Sequence, residues 1–133
     1  MNLDAHGTYE LTLKGEIFII RFFEKWNLEG ANAFFTAYQS AVKGQNLKQF
    51  GVLSDLRQFE GGTPDAIARF NKISNWAKEN GQIARAQILD SGLKVFTINQ
   101  IDQGKNLFSV QTFSNETDAL AWLASQGLAV SMG

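Results

Sequence analysis

Residues 50–64 read FGVLSDLRQFEGGTP, and this stretch decides the fold. It starts as an apolar run, turns polar at Asp55, breaks at Gly61-Gly62, and passes through Thr63-Pro64 into a helical pattern. A continuous apolar run bounded by turn residues is the mark of a strand buried on both faces. Its polar exit marks the carboxyl end of such a strand, where ligands and switches collect in open α/β sheets. The sequence predicts a strand over Phe50–Leu56, a loop over Gln58–Thr63, and a helix that Thr63 caps, with Pro64 in its first turn and Asp65 at the positive end of its dipole.

The same patterns recur on either side. Tyr9–Leu13 (YELTL) alternates at period two, and Lys14-Gly15 separates it from Glu16–Phe23 (EIFIIRFF), which reads as a hairpin. The second run is apolar on both pleats except at Arg21, placed near the strand end with its head reaching solvent. Asn27 caps a helix whose stripe is Ala31, Phe34, Phe35, Tyr38, Ala41 and Val42, with Gly44 as its stop. The helix after Thr63 buries Ala66, Ile67, Phe70, Ile73 and Ala77, with Trp76 at the margin. Ile83–Leu89 is a fourth strand and Leu93–Ile101 is assigned to a crossover helix. Asn106–Phe113 is a fifth strand, followed by a helix capped by Ser114 or Asn115, with Ala119, Leu120, Leu123 and Ala124 inward and Gly127 at its end. The order ββαβαβαβα predicts a single α/β domain over residues 1–133, with a mostly parallel five-stranded sheet and one antiparallel amino-terminal strand.

Composition removes several function classes. Twelve basic and 13 acidic residues give a net charge of -1 without clustering, which speaks against nucleic-acid binding. With no cysteine there is no disulfide, thiolate metal site or thiol nucleophile. His6 is the only histidine, expected exposed in a mobile amino-terminal segment. No metal-ligand spacing is present, and no catalytic residue or cofactor is assigned. Asp90, at the end of the fourth strand, could stand near Asp55, but no histidine joins the two carboxylates. Gly61-Gly62 matches no phosphate-binding fingerprint. The longest apolar run, Ile17–Ile20, falls far short of the ~20 residues of a membrane span. The start MNLDAHG lacks the basic and apolar segments of a signal peptide. The expectation is a cytoplasmic protein.

Two stretches carry a family resemblance. Phe113–Leu123 (FSNETDALAWL) resembles the strand-to-helix ending of SpoIIAA-like proteins, in the STAS group of anti-anti-sigma-factor-like domains. Val52–Arg57 (VLSDLR) followed by GGTPDA resembles the same family's central strand and next helix, and the likeness runs from Gly7 to Leu128. It implies a regulatory or ligand-binding module rather than an enzyme. In the anti-anti-sigma factors a hydroxyl residue at the start of that helix, within an Asp-Ser-Ser-Gly-like motif, is phosphorylated by a partner kinase. Here the chain reads Phe59-Glu60-Gly61-Gly62-Thr63, and Thr63 is the only hydroxyl nearby. The SpoIIAA-like branch is associated with apolar ligands and membrane surfaces.

Candidate site residues follow from both lines. Asp55 and Arg57 point the same way along a strand; they form either a charged pair at a pocket mouth or, through Asp55, an order-imposing contact for the loop. Phe23, Trp26, Phe59, Thr63, Ile67, Phe70 and Phe96 cluster around strand ends and middle helices and could line an apolar pocket. The partners implied are an apolar small molecule or lipid with peripheral contact at the inner membrane, a protein partner, and a second copy of the chain. The segments Gln58–Thr63, Pro64–Gly81 and Leu93–Ile101 are the candidate mobile cover.

Overall fold

A computed structural model describes residues 4–90 and 107–130. The described strands are β1 (Thr8–Lys14), β2 (Ile17–Trp26), β3 (Phe50–Gly62), β4 (Gln82–Ile88) and β5 (Ser109–Phe113); the described helices are α1 (Leu28–Gln45), α2 (Pro64–Glu79) and α3 (Glu116–Ser125). One sheet holds the strands in chain order. β1 is antiparallel to β2, and β2 through β5 run parallel. The predicted α/β class, with one antiparallel strand leading a parallel sheet, is what the chain adopts. The crossover helix expected over Leu93–Ile101, and Phe96 with it, lies outside the described residues.

Period-two alternation sends each strand's side chains to opposite faces. Toward α1 and α2 point Phe18, Ile20 and Phe22 of β2 and Phe50, Val52 and Leu56 of β3. Toward α3 point Ile17, Ile19, Leu53, Ala84, Ala86 and Ile88. Both faces of β2 and β3 are therefore covered, which is why their apolar runs are continuous.

The boundaries depart from expectation in physically readable ways. Gly44 does not stop α1; the helix continues to Gln45 and ends at Asn46 in the left-handed region (φ 51°), because asparagine tolerates that conformation. β3 runs to Gly62 rather than Leu56, since Phe59 is buried and holds the chain against the sheet. Gln58–Gly62 is therefore strand, not loop. β2 extends with it through register shifts between Arg21 and Phe23 and between Glu24 and Trp26. Glu24 adopts φ 69° there, a bulge that turns Trp26 into the core, where its Nε1 donates to the Phe23 carbonyl at 3.0 Å. Ile67 and Leu120 are only partly buried and Ala124 is exposed, so the inward stripes of α2 and α3 are narrower than the periodicity suggests. α3 starts at Asn115, whose side chain accepts from the Asp118 N–H at 2.8 Å.

Residues 4–7, just before β1, are tied down rather than loose. The His6 N–H donates to Asn27 Oδ1 and Asn27 Nδ2 donates to the Asp4 carbonyl, both at 2.8 Å. Gly7 lies so close to Trp26 that a Cβ there would fall 2.3 Å from the indole, leaving room for no other residue.

Candidate functional site

The carboxyl ends of β2 and β3 bring Arg21 and Asp55 opposite each other in register. Arg21 Nη1 donates to Asp55 Oδ2 at 2.8 Å, and its Nη2 reaches both oxygens of Glu116 at 3.2 Å. Arg57 grips the same carboxylate, Nε to Oδ1 at 3.0 Å and Nη2 to Oδ2 at 2.9 Å, while its backbone N–H donates to Oδ1 at 3.2 Å. Asp55 thus accepts four hydrogen bonds, about the full capacity of a carboxylate. Burial works to raise its proton affinity. The Arg57 side chain and backbone, with Arg21, outweigh that and hold the carboxyl below its usual range. A carboxylate so committed is a poor proton acceptor.

Arg21 is therefore not a strand-end cation reaching only for solvent. Its side chain is 31% exposed; burial acts to lower its pKa, but bonds from Glu116 and Asp55 raise it overall. Glu116 begins α3, so the arginine braces that helix against the sheet. Arg57 has its pKa raised by the bond from Asp55, with Asp90's charge contributing more weakly, and its side chain is 39% exposed. The Asp55–Arg57 pair was legible from its two-residue spacing. Arg21 and Glu116 were not, although a lone arginine in an apolar strand was the signal for a partner on the next strand.

The aromatic candidates separate into two groups. Trp26, Phe59 and Phe70 are buried in the cluster beneath α1 and α2, and Phe22 and Phe34 stand edge-on to the rings of Trp26 and Phe70 or tilted against them. Phe23 and Ile67 are half-buried. Thr63 is exposed; its Oγ1 accepts from the Ala66 N–H at 3.3 Å and donates to Asp65 Oδ1. All three rings lie in the core, and Phe59 and Phe70 also line a cavity. That cavity, of about 80 Å³, has an apolar wall that includes Phe22, Phe34, Phe59, Phe70 and Ile73. A cavity near 150 Å³ holds benzene, so a long acyl chain does not fit without opening the helices.

Among the described residues there is no group of three or more His, Asp or Glu side chains able to hold a metal ion. No helix among them is long and apolar enough to cross a membrane.

A five-stranded sheet led by one antiparallel strand, with helices on both faces, is the architecture of a SpoIIAA-like fold. The SpoIIAA-like family model matches residues 17–124, and the chain belongs to that family. Solved structures agree in fold. An uncharacterised protein with a SpoIIAA-like fold from Shewanella loihica is 15% identical with TM-score 0.70, covering 92% of this chain and 98% of its own. An anti-sigma factor antagonist from Mycobacterium paratuberculosis is 12% identical with TM-score 0.60, covering 93% and 99%. The Bacillus cell fate determinant SpoIIAA in its phosphorylated form is 12% identical with TM-score 0.57, covering 86% and 98%. No curated protein matches the sequence.

Proposed function

We propose that this chain is a non-enzymatic interaction module that engages a protein partner at the carboxyl end of its sheet. The observation that carries this is the extension of β3 to Gly62. It presents Gln58, Glu60 and Thr63 exposed while Phe59 anchors the same segment in the core. A rim that is polar outside and fixed inside is pre-organised for docking, which lowers the ordering cost of association. Fold relatives that include anti-sigma factor antagonists support the same reading. The filled acceptor sites of Asp55 support a non-catalytic role, since the best-placed carboxylate is committed to arginines.

Thr63 in this reading is a helix cap on the docking rim. A photo-crosslinking residue at Glu60 and another at Lys48, an exposed position at the opposite end of β3, test it in cells. Adducts of one defined mass formed from Glu60 and not from Lys48 are expected. Equal labelling from both positions, or none from Glu60, would overturn the reading; an adduct of twice the chain mass would assign the rim to a second copy of the protein.

A second reading, an apolar ligand with peripheral membrane contact, is favoured by the cavity and its aromatic wall. It requires α2 to move, because Phe70 and Trp26 are packed in the core. Flotation with anionic vesicles tests it: binding that Phe70→Asp abolishes in a folded protein supports it, and absence of binding removes it.

A further inference from the structure

β1 ends the sheet on one side, and among the described residues no strand pairs with its outer edge. Natural sheets blunt such edges with prolines, bulges, short strands or lysines. β1 has neither proline nor bulge: it runs seven residues, Thr8–Lys14, with no shift in register against β2. Which backbone groups face outward follows from the turn. Lys14 stands opposite Ile17 across a two-residue turn, and the residues flanking such a turn are hydrogen-bonded to each other. Alternation then directs the N–H and C=O of Thr8, Glu10, Thr12 and Lys14 toward β2, and those of Tyr9, Leu11 and Leu13 toward the open edge. Side chains divide in the same way. Tyr9, Leu11 and Leu13 are half-buried against the cluster beneath α1 and α2, while Thr8, Glu10, Thr12 and Lys14 are exposed. The apolar flank of the strand is therefore only partly covered by its own chain.

The two charges on this strand, Glu10 and Lys14, are of opposite sign, and they let the edge match itself. When two copies pair antiparallel about a two-fold axis, residues with outward backbone groups stand opposite one another. The register is then centred on Thr12 or on a leucine beside it. Centred on Thr12, Leu11 bonds to Leu13 of the second copy, and Glu10 faces Lys14 of the second copy, twice over by symmetry. Centring on Leu11 or Leu13 instead sets Lys14 opposite a threonine. Unlike charges directly opposite stabilise a sheet and like charges destabilise it, so the sequence favours the first register. Within its own chain Glu10 meets Arg21 only at 4.0 Å, and its side chain is 66% exposed. We propose that two copies of this chain pair through β1, antiparallel about Thr12, into one continuous sheet. β5, at the opposite edge, reads SVQTF and carries no charge to set such a register. The pairing uses a different edge from the docking rim of β3, so failure of either leaves the other standing.

Sedimentation velocity of the full chain, over a concentration series reaching the millimolar range, tests it. A reversible monomer–dimer equilibrium is expected. Lys14→Glu turns both ion pairs into contacts between carboxylates and should raise the dissociation constant about tenfold. Thr12→Lys sets two ammonium groups against each other on the axis and should act in the same direction. Both positions are exposed, so circular dichroism should show an unchanged fold. Glu10→Lys makes the opposite mismatch. A mixture of the Lys14→Glu and Glu10→Lys chains restores unlike charges at both contacts, and should form a mixed dimer at a concentration where neither variant dimerises alone. A wild type that stays monomeric throughout overturns the proposal. So does a dimer indifferent to Lys14→Glu and Thr12→Lys, which would place the contact on another surface, and so does a mixture that forms no mixed dimer.

Discussion

The two faces of the sheet are built by opposite rules. Toward α1 and α2 the filling is aromatic: Phe18, Phe22, Trp26, Phe34, Tyr38 and Phe50 are all buried there, mostly in edge-on contacts. Toward α3 the filling is small and aliphatic, with Ala84, Ala86 and Ala119 completely covered. Gly51 lets that face close: a Cβ there would stand 2.4 Å from Leu128 Cδ1. Small residues let a helix approach a sheet closely. Large rings at varied angles leave space between them, and the cavity lies on that side. Polarity divides in the same way. The aromatic face carries Ser54, Arg85 and Gln87 inside it, whereas the aliphatic face places its charges, Arg21, Asp55 and Glu116, at the rim. One face is arranged around an interior space and the other is sealed and bolted at its edge.

The largest expected effect breaks the aromatic face. Phe34 is 2% exposed, with ring centroids of Tyr9, Phe22, Tyr38, Trp26 and Phe70 between 5.1 and 6.3 Å away. Phe34→Ala should cost about 3–5 kcal/mol through lost transfer energy and a cavity that merges with the existing one. Denaturant unfolding measures it. A loss below ~1 kcal/mol would mean that this face collapses readily, and the contrast between the faces would vanish.

An intermediate effect tests the bolt. Asp55→Ala removes four hydrogen bonds but leaves Arg21 paired with Glu116, so the expected loss is about 1–3 kcal/mol. The same site predicts a pH dependence. The folded carboxyl is held below the ~3.9 of an unfolded aspartate. Its stabilisation is therefore complete above that value and disappears as pH falls through the lower folded value. Between about pH 5 and 2, unfolding free energy should decline less steeply in Asp55→Asn than in the wild type. Parallel acid limbs would show that Asp55 titrates alike in both states and that the rim is not a bolt.

How much of this contrast could be read from the chain depends on whether the cause was local. The strands and caps were legible because Ile17–Phe23, Phe50–Leu56, Asn27 and Thr63 announce themselves through neighbours a few residues away. The end of β3 was not: Gly61-Gly62 reads as a break, and only Phe59's burial beneath α2 keeps the strand going. The rim pair Asp55–Arg57 was visible at its two-residue spacing, but the third and fourth members come from residues 34 and 95 positions apart in the chain. Composition does not distinguish a ring that lines a cavity, as Phe59 and Phe70 do, from one that only fills the core, as Trp26 does.

The smallest expected effect compares the two helix starts, one on each face. α2 on the aromatic side opens at Thr63, whose Oγ1 accepts from Ala66 N–H at 3.3 Å. α3 on the aliphatic side opens at Asn115, whose Oδ1 accepts from Asp118 N–H at 2.8 Å. The shorter bond and the stronger intrinsic cap favour Asn115, since asparagine caps better than threonine. Both alanine substitutions should destabilise within about 0.5–2 kcal/mol, with Thr63→Ala the milder of the two. Thr63 keeps a second tie that softens its replacement from the backbone's side: the Trp26 carbonyl accepts from the Thr63 N–H at 3.0 Å, and alanine retains that bond. If Thr63→Ala leaves stability unchanged while the Glu60 cross-link disappears, the hydroxyl belongs to the partner interface rather than to the helix. Stoichiometric phosphate on Thr63 in protein isolated from its own cells would give it a third role. The added charge would meet the helix amino terminus favourably but stand beside Asp65, which now accepts a hydrogen bond from the threonine hydroxyl. Intact-mass measurement of the native protein decides between cap and acceptor, and the geometry predicts an unmodified chain.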